Sequence, residues 1–294
     1  MEIFGIPHQA FLGQLLLGLV NGAFYAMLSL GLAVIFGLLG IVNFAHGALY
    51  MLGAFAAWIM LDKFGLNYWV ALVLAPLTVG ALGVVIERLF LKHLYKLDPL
   101  YGLLLTFGLA LIVEGIFHEL YGVSGQNYNV PELLSGATNL GFMTLPNYRA
   151  WVVLVSLVVC LGTWFLIERT RLGAYLRAGT ENAALVQAFG INVPMMVMLT
   201  YGAGAALAAL AGVLAAPIIQ VNPLMGSNLI IVVFAVVVIG GMGSILGSVI
   251  TGLALGLVEG MTRVFYPEAS NIVVFVVMVL VLMVRPSGLF GKEA

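Results

Sequence analysis

Apolar stretches of helical length recur along the chain near 11–30, 47–61, 67–87, 100–122, 150–167, 195–218, 228–242, 245–262 and 271–284. A membrane-spanning helix needs about 20 apolar residues. Several of these stretches are shorter, and 228–242 has only 15 residues. Short or glycine-interrupted segments predict discontinuous helices, which persist only inside a bundle or beside a water-filled cavity. Residues 31–46 are also apolar, and the pattern leaves three readings open: extension of the first helix, re-entry, or a separate crossing. The expected fold is an all-α polytopic membrane protein with about 8–10 transmembrane helices, some short or discontinuous. It is read as a single transmembrane domain over 1–294, with polar loops at 123–149 and 168–194.

Composition agrees with that pattern. The 294 residues are 63% hydrophobic and 8% charged, against about 25% charged for a soluble globular domain. Between Glu2 and Asp62 there is no Lys, Arg, Asp or Glu. The single cysteine, Cys160, excludes a disulfide framework within the chain. The first ten residues carry no Lys or Arg, so the basic region of a signal peptide is absent there, and the first apolar segment is expected to be retained.

Basic residues set the expected orientation. Arg88, Lys92 and Lys96 share one connection, Arg169, Arg171 and Arg177 another, and Arg285 and Lys292 the tail. These are eight of the eleven basic residues, and the predicted spans put all of them on one side. That side is read as cytoplasmic, with the C-terminus inside and the N-terminus outside. The loop 123–149, with its turn residues Asn127, Pro131, Ser135 and Pro146, falls outside.

Small residues recur every four positions at Gly204, Ala208, Gly212 and Ala216, and at Gly240, Ser244, Ser248, Gly252, Gly256 and Gly260. Such series predict smooth helix faces for close packing. The run Gly240-Gly241-Met242-Gly243-Ser244 predicts a break in the chain. Val42-Asn43 and Val221-Asn222 are each followed, after three residues, by a glycine, Gly47 and Gly226. An inverted repeat would produce this echo, and so would chance.

Polar residues at membrane depth must face the bundle interior or water. They include Asn21, Asn43, His46, Glu114, His118, Asn222 and Glu259. Glu114 with His118, and Glu259 with Arg263, have the spacing of a pair on one helix face, read as structural or interfacial. Asn43, His46 and Asn222 are candidates for lining a substrate path, and Asn43 is equally suited to cap the following helix. No histidine cluster has metal-ligand spacing, and no metal or cofactor is expected on this chain.

The loop 168–194 is too polar to span. Thr180 and Glu181 predict the start of a short surface helix, and Gly190 with Pro194 its end. Leu185 and Phe189, four apart, form an apolar knob flanked by Asn182, Ala184 and Ala188. The knob suits docking to a cytoplasmic partner, or a helix lying on lipid.

The stretch Gly37 to Ala54, with Val42-Asn43-Phe44-Ala45-His46-Gly47, resembles the permease subunits of bacterial branched-chain amino acid ABC importers of the LivH type. So do Arg171-Leu172-Gly173 through Gly190-Ile191-Asn192, Gly240 to Gly247, and Arg285 to Gly291. The resemblance runs over nearly the whole chain in order. It implies a bacterial inner-membrane protein working with a second permease, two cytoplasmic ATPase subunits, an external substrate-binding protein and membrane lipid, with no nucleic acid. It also implies that Glu181, Asn182, Ala184, Leu185, Ala188, Phe189 and Gly190 couple the chain to an ATPase. Asn182 stands where importers generally have alanine. The chain lacks a P-loop: its only Gly-Lys, Gly291-Lys292, is followed by Glu293, and Pro286 occupies the first glycine position. Urea or short-chain amide uptake, and a stand-alone secondary transporter, are the alternative readings. An intramembrane enzyme finds no supporting constellation.

Overall fold

The computed structural model describes residues 2–3, 6–40, 42–95 and 97–291. Lys96, Lys292 and Glu293, used in the sequence reading, lie outside them. A short pair of strands, β1 (Glu2–Ile3) and β2 (Ile6–Pro7), precedes helix α1 (His8–Leu39). Then follow α2 (Ala45–Phe64), α3 (Tyr68–Leu89), α4 (Pro99–Tyr121), a hairpin of β3 (Ala137–Asn139) and β4 (Thr144–Pro146), and α5 (Asn147–Arg169). Two short helices, α6 (Arg171–Glu181) and α7 (Ala183–Ala188), lead to α8 (Val193–Ala215), α9 (Met225–Gly240), α10 (Ile245–Phe265) and α11 (Val273–Val284).

Among the described residues, seven helices are long and apolar enough to cross a membrane, while α9 and α11 are apolar but shorter. At 1.5 Å per residue, α9 and α11 reach only about 24 and 18 Å, against roughly 30 Å of hydrocarbon. Residues 31–39 extend the first helix rather than crossing separately. Nothing in that stretch interrupts the backbone ladder until Gly40, whose φ of 67° ends the helix.

The helix ends follow local chemistry. Side chains of Asn67, Asp98 and Asn192 accept from the backbone N–H groups of Val70, Leu100 and Met195 to start α3, α4 and α8. The break predicted at 240–244 forms: Gly241 and Gly243 adopt φ of 97° and 87°, and Ser244 then caps α10 by accepting from Gly247 N–H at 3.1 Å.

The chain divides into two compact units. The first comprises 1–29, 129–160 and 232–294, the second 30–128 and 161–231. In the first, α10 lays Gly252, Gly256 and Gly260 against Gly18, Gly22 and Ala26 of α1, with backbone touching backbone. The predicted small-residue series is therefore a packing face from Ser248 onward. Its first two members do not belong to α10: Gly240 ends α9, and Ser244 is the cap. Glu259, 4% exposed, accepts from Tyr25 Oη at 2.7 Å and pairs with Arg263, as their spacing predicts. The tail folds back, with Leu289 N–H donating to Ile239 O at 2.8 Å and Phe290 N–H to Gly240 O at 3.2 Å.

In the second unit α8 is the hub. Gly202 meets α3 at Gly80, Gly204 meets α1 at Gly31 and Ile35, and Gly212 meets α2 at Tyr50 and Ala54. The regular four-residue series thus serves two neighbours, because α8 is surrounded.

A leucine at Gly256 would overlap α1 backbone, whereas nothing lies within 4 Å of a Cβ at Gly108. Gly256→Leu is expected to destabilise the chain by about 1–3 kcal/mol through overpacking, and Gly108→Leu to leave it near wild type. Thermal unfolding in detergent checks this, and equal midpoints for the two variants would refute the packing assignment.

Candidate coupling and translocation site

Helix α5 turns into α6 at a tight corner. A Cβ at Gly173 would overlap the carbonyl of Ile167, so only glycine fits. Arg177 reaches back across the corner. Its guanidinium donates to Ile167 O at 3.0 Å and lies 3.4 Å from Glu168 Oε2. A cation over the last carbonyls of a helix satisfies groups that the helix itself leaves open. The motif residues Gly173 and Arg177 therefore fix where the next segment starts.

That segment differs from the expected single helix over 180–189. Asn182, with φ −148° and ψ 86°, interrupts it, and its side chain accepts from Leu185 N–H at 3.0 Å to start α7. Thr180 is not the cap: its hydroxyl donates to Arg177 O at 2.7 Å inside α6. A Ser/Thr hydroxyl inside a helix bonds back to the preceding turn, whereas Asn at a break accepts from the turn ahead. Gly190 closes the segment as expected, at φ 82°.

The six residues of α7 have three environments. Val186 is buried, while Leu185 and Phe189, just past its end, are 55% and 78% exposed. Glu181, Asn182, Ala184, Ala188 and Gly190 are also exposed, so all seven predicted coupling residues sit on one short, accessible stretch. Ala183 and Gln187, again four apart, line a cavity of about 870 Å³ together with Phe36, Glu87 and Tyr95.

Sequence reasoning passed over Glu87 and Tyr95. Glu87 ends the apolar face of α3 at 4% exposure, and Tyr95 Oη donates to its Oε1 at 2.8 Å. Burial, and then the neighbouring Glu87 carboxylate, push the Tyr95 phenol above its ordinary pKa. The signal was present as an acid closing an apolar run. Its partner, eight residues on across a 3₁₀ turn at Leu91–His93, has no helical or strand spacing to betray it.

The three path candidates have separate fates. Asn43 is 1% exposed, and its Oδ1 accepts from Ala45 N–H at 3.1 Å, so it holds the turn that leads into α2. His46 is fully buried, with its ring against Gly31 of α1. Asn222 accepts from Leu224 N–H at 3.0 Å and holds the turn before α9. The two echoing asparagines therefore do the same local work. The matching glycines touch each other: a Cβ on Gly47 would strike Gly226 O, and one on Gly226 would strike Gly47 O.

Thr106 of α4, also unforeseen, pins the break before α2. Its hydroxyl accepts from Phe44 N–H at 3.2 Å, although 62 residues separate the two. Glu114 and His118, expected to pair, form no ion pair among the described residues. His118 is exposed near the end of α4, and Glu114 is partly so. No group of three or more metal-ligating side chains is assembled among the described residues.

Residues 14–282 match the family described as branched-chain amino acid transport system, permease component. The chain is 31% identical to the high-affinity branched-chain amino acid transport system permease protein BraD of Pseudomonas aeruginosa, covering 96% of each. It is 29% identical to the LivH permease protein of the same kind of system in Escherichia coli K12, again over 96% of each. It also matches the LivM permease protein of that organism, at 25% identity over 90% of this chain and 67% of LivM.

Replacing Asn182 by Ala removes the cap of α7 and is expected to cost about 1 kcal/mol locally. Amide hydrogen exchange at Leu185 should then speed up about fivefold, the equivalent of that energy. Unchanged exchange would show that the cap does not hold the helix.

Proposed function

The chain belongs to the family of branched-chain amino acid transport permeases, and we propose on that footing how it works within its importer. It is a multi-pass membrane permease subunit of an ABC importer. Its relatives include both LivH and LivM permease proteins of one organism, and a second permease is its partner. Two cytoplasmic ATPase subunits supply ATP hydrolysis, and an external binding protein delivers the amino acid. The chain itself carries no cofactor.

The observation that carries the mechanism is α7. A short helix with a buried Val186 and exposed Leu185 and Phe189 is anchored at both ends by glycine and asparagine turns. An apolar knob in water costs stability unless a partner covers it. An ATPase groove is the partner that a permease without a P-loop needs. Movement of the ATPases would push α7 against the cavity behind it and, through α8, against the α2 and α9 turns held by Asn43 and Asn222. We take those turns to border the substrate path, with His46 buried behind them rather than exposed to substrate. The orientation proposed from the basic residues puts 168–194 and the C-terminus in the cytoplasm, the N-terminus outside.

Leu185→Asp or Phe189→Asp should leave the chain in the membrane and abolish ATPase association, with uptake lost in step. Recovery of the ATPases at wild-type levels in a pull-down with either variant would remove the coupling assignment. Cysteines introduced at 92 and 177 should react with an impermeant reagent only in inside-out vesicles. Labelling of intact cells would invert the orientation.

A further inference from the structure

The cavity behind α7 has the chemistry of a ligand site. Its volume, about 870 Å³, lies within the roughly 300–1,000 Å³ range of small-molecule pockets. It falls entirely within the second unit, between the end of α1, the 91–99 turn and the junction of α6, α7 and α8. Leu39, Leu97, Leu176 and Val197 contribute apolar walls. Against this background stand an acid, Glu87, and two basic side chains, Lys92 and His93.

Glu87 is the informative group. A carboxylate at 4% exposure is costly unless its oxygens are satisfied. Tyr95 satisfies one of them, and no Lys or Arg among the described residues reaches ion-pair distance. A ligand ammonium would complete it. Lys92, five residues on and exposed, offers the opposite charge for a ligand carboxylate, and the walls suit an aliphatic body. An ammonium, a carboxylate and an aliphatic side chain together describe an aliphatic α-amino acid.

We propose that this cavity binds the transported amino acid on the cytoplasmic side and slows further import. The inference rests on the transport reading and on the cytoplasmic placement of α7. Its physical basis is the double use of one short helix. Ala183 and Gln187 line the cavity while Leu185 and Phe189 face outward for docking. A ligand lodged against the first pair resists the displacement that docking would impose on the second. The end of α1 at Phe36 and Gly40 shares the same cavity, so occupancy also restrains the segment that leads into the Asn43 turn.

The test uses the complete importer in lipid nanodiscs without its binding protein, titrated with radiolabelled leucine. Saturable binding is expected. Glu87→Gln should weaken it by about tenfold, the loss of a charge-assisted hydrogen bond, and Lys92→Gln should weaken it too. In proteoliposomes, binding-protein-driven uptake should fall on preloading with leucine, and the ratio of empty to preloaded rates should move toward one in Glu87→Gln. Absent saturable binding, equal binding by wild type and both variants, or an unchanged preloading ratio overturns the site. Should Glu87→Gln fail to assemble, Lys92→Gln, at an exposed position, decides alone. A failure of the transport reading looks different: no uptake of any branched-chain amino acid into empty wild-type vesicles. The nanodisc titration reads the cavity independently of that result.

Discussion

Gly212 of α8 lies so close to α2 that a methyl group there would overlap the carbonyl of Tyr50. The same holds for Gly53 against Ala209, Gly47 against Gly226, and Gly256 against Gly22. Between helices in lipid there is little hydrophobic drive, so association depends on van der Waals contact at short range. Backbone-to-backbone approach maximises that contact, and it is available only where side chains are absent or small. The remaining architecture follows from this constraint. Helix α8 can serve three neighbours because it presents small residues in several directions. Helix α2 and the shorter α9 meet at their starting turns because one glycine on each permits it.

Close packing leaves little room for polar groups, and several of those inside the bundle have an identifiable duty. Asn43 accepts from the first amide of α2, and Asn222 accepts from Leu224 N–H just before α9. Thr106 supports the break before α2 from a neighbouring helix. Glu259 is held by Tyr25 and Arg263. Glu87, held by Tyr95 alone among the described residues, is the exception, and it is also the one beside a cavity. An exposed α7 in front of that cavity and a buried carboxylate behind it bring docking and ligand chemistry within one short stretch of structure.

Residues with local duties were legible beforehand. The break at Gly241 and Gly243, the stop at Gly190, the Glu259–Arg263 pair and the exposed knob of Leu185 and Phe189 all depend on neighbours within a turn or two. The misreadings were finer ones. Thr180 and Asn182 are both of residue types that cap helices, and which one starts the next helix depends on where the α5–α6 corner, fixed by Gly173 and Arg177, lets α6 run. Glu114 and His118 have pairing distance along the helix, yet geometry left them apart.

Sequence alone determined that the chain is a set of apolar helices with identifiable breaks and a polar loop, because hydrophobic length and turn chemistry act over a few residues. It also determined the family, through motifs dispersed over the chain. Tertiary structure decided which glycine faces which helix, that Thr106 supports a turn 62 residues away, that His46 is sealed against Gly31, and that Glu87 meets Tyr95 at a cavity wall. Those outcomes depend on distances between segments far apart in the chain, which are fixed only when the helices close on one another.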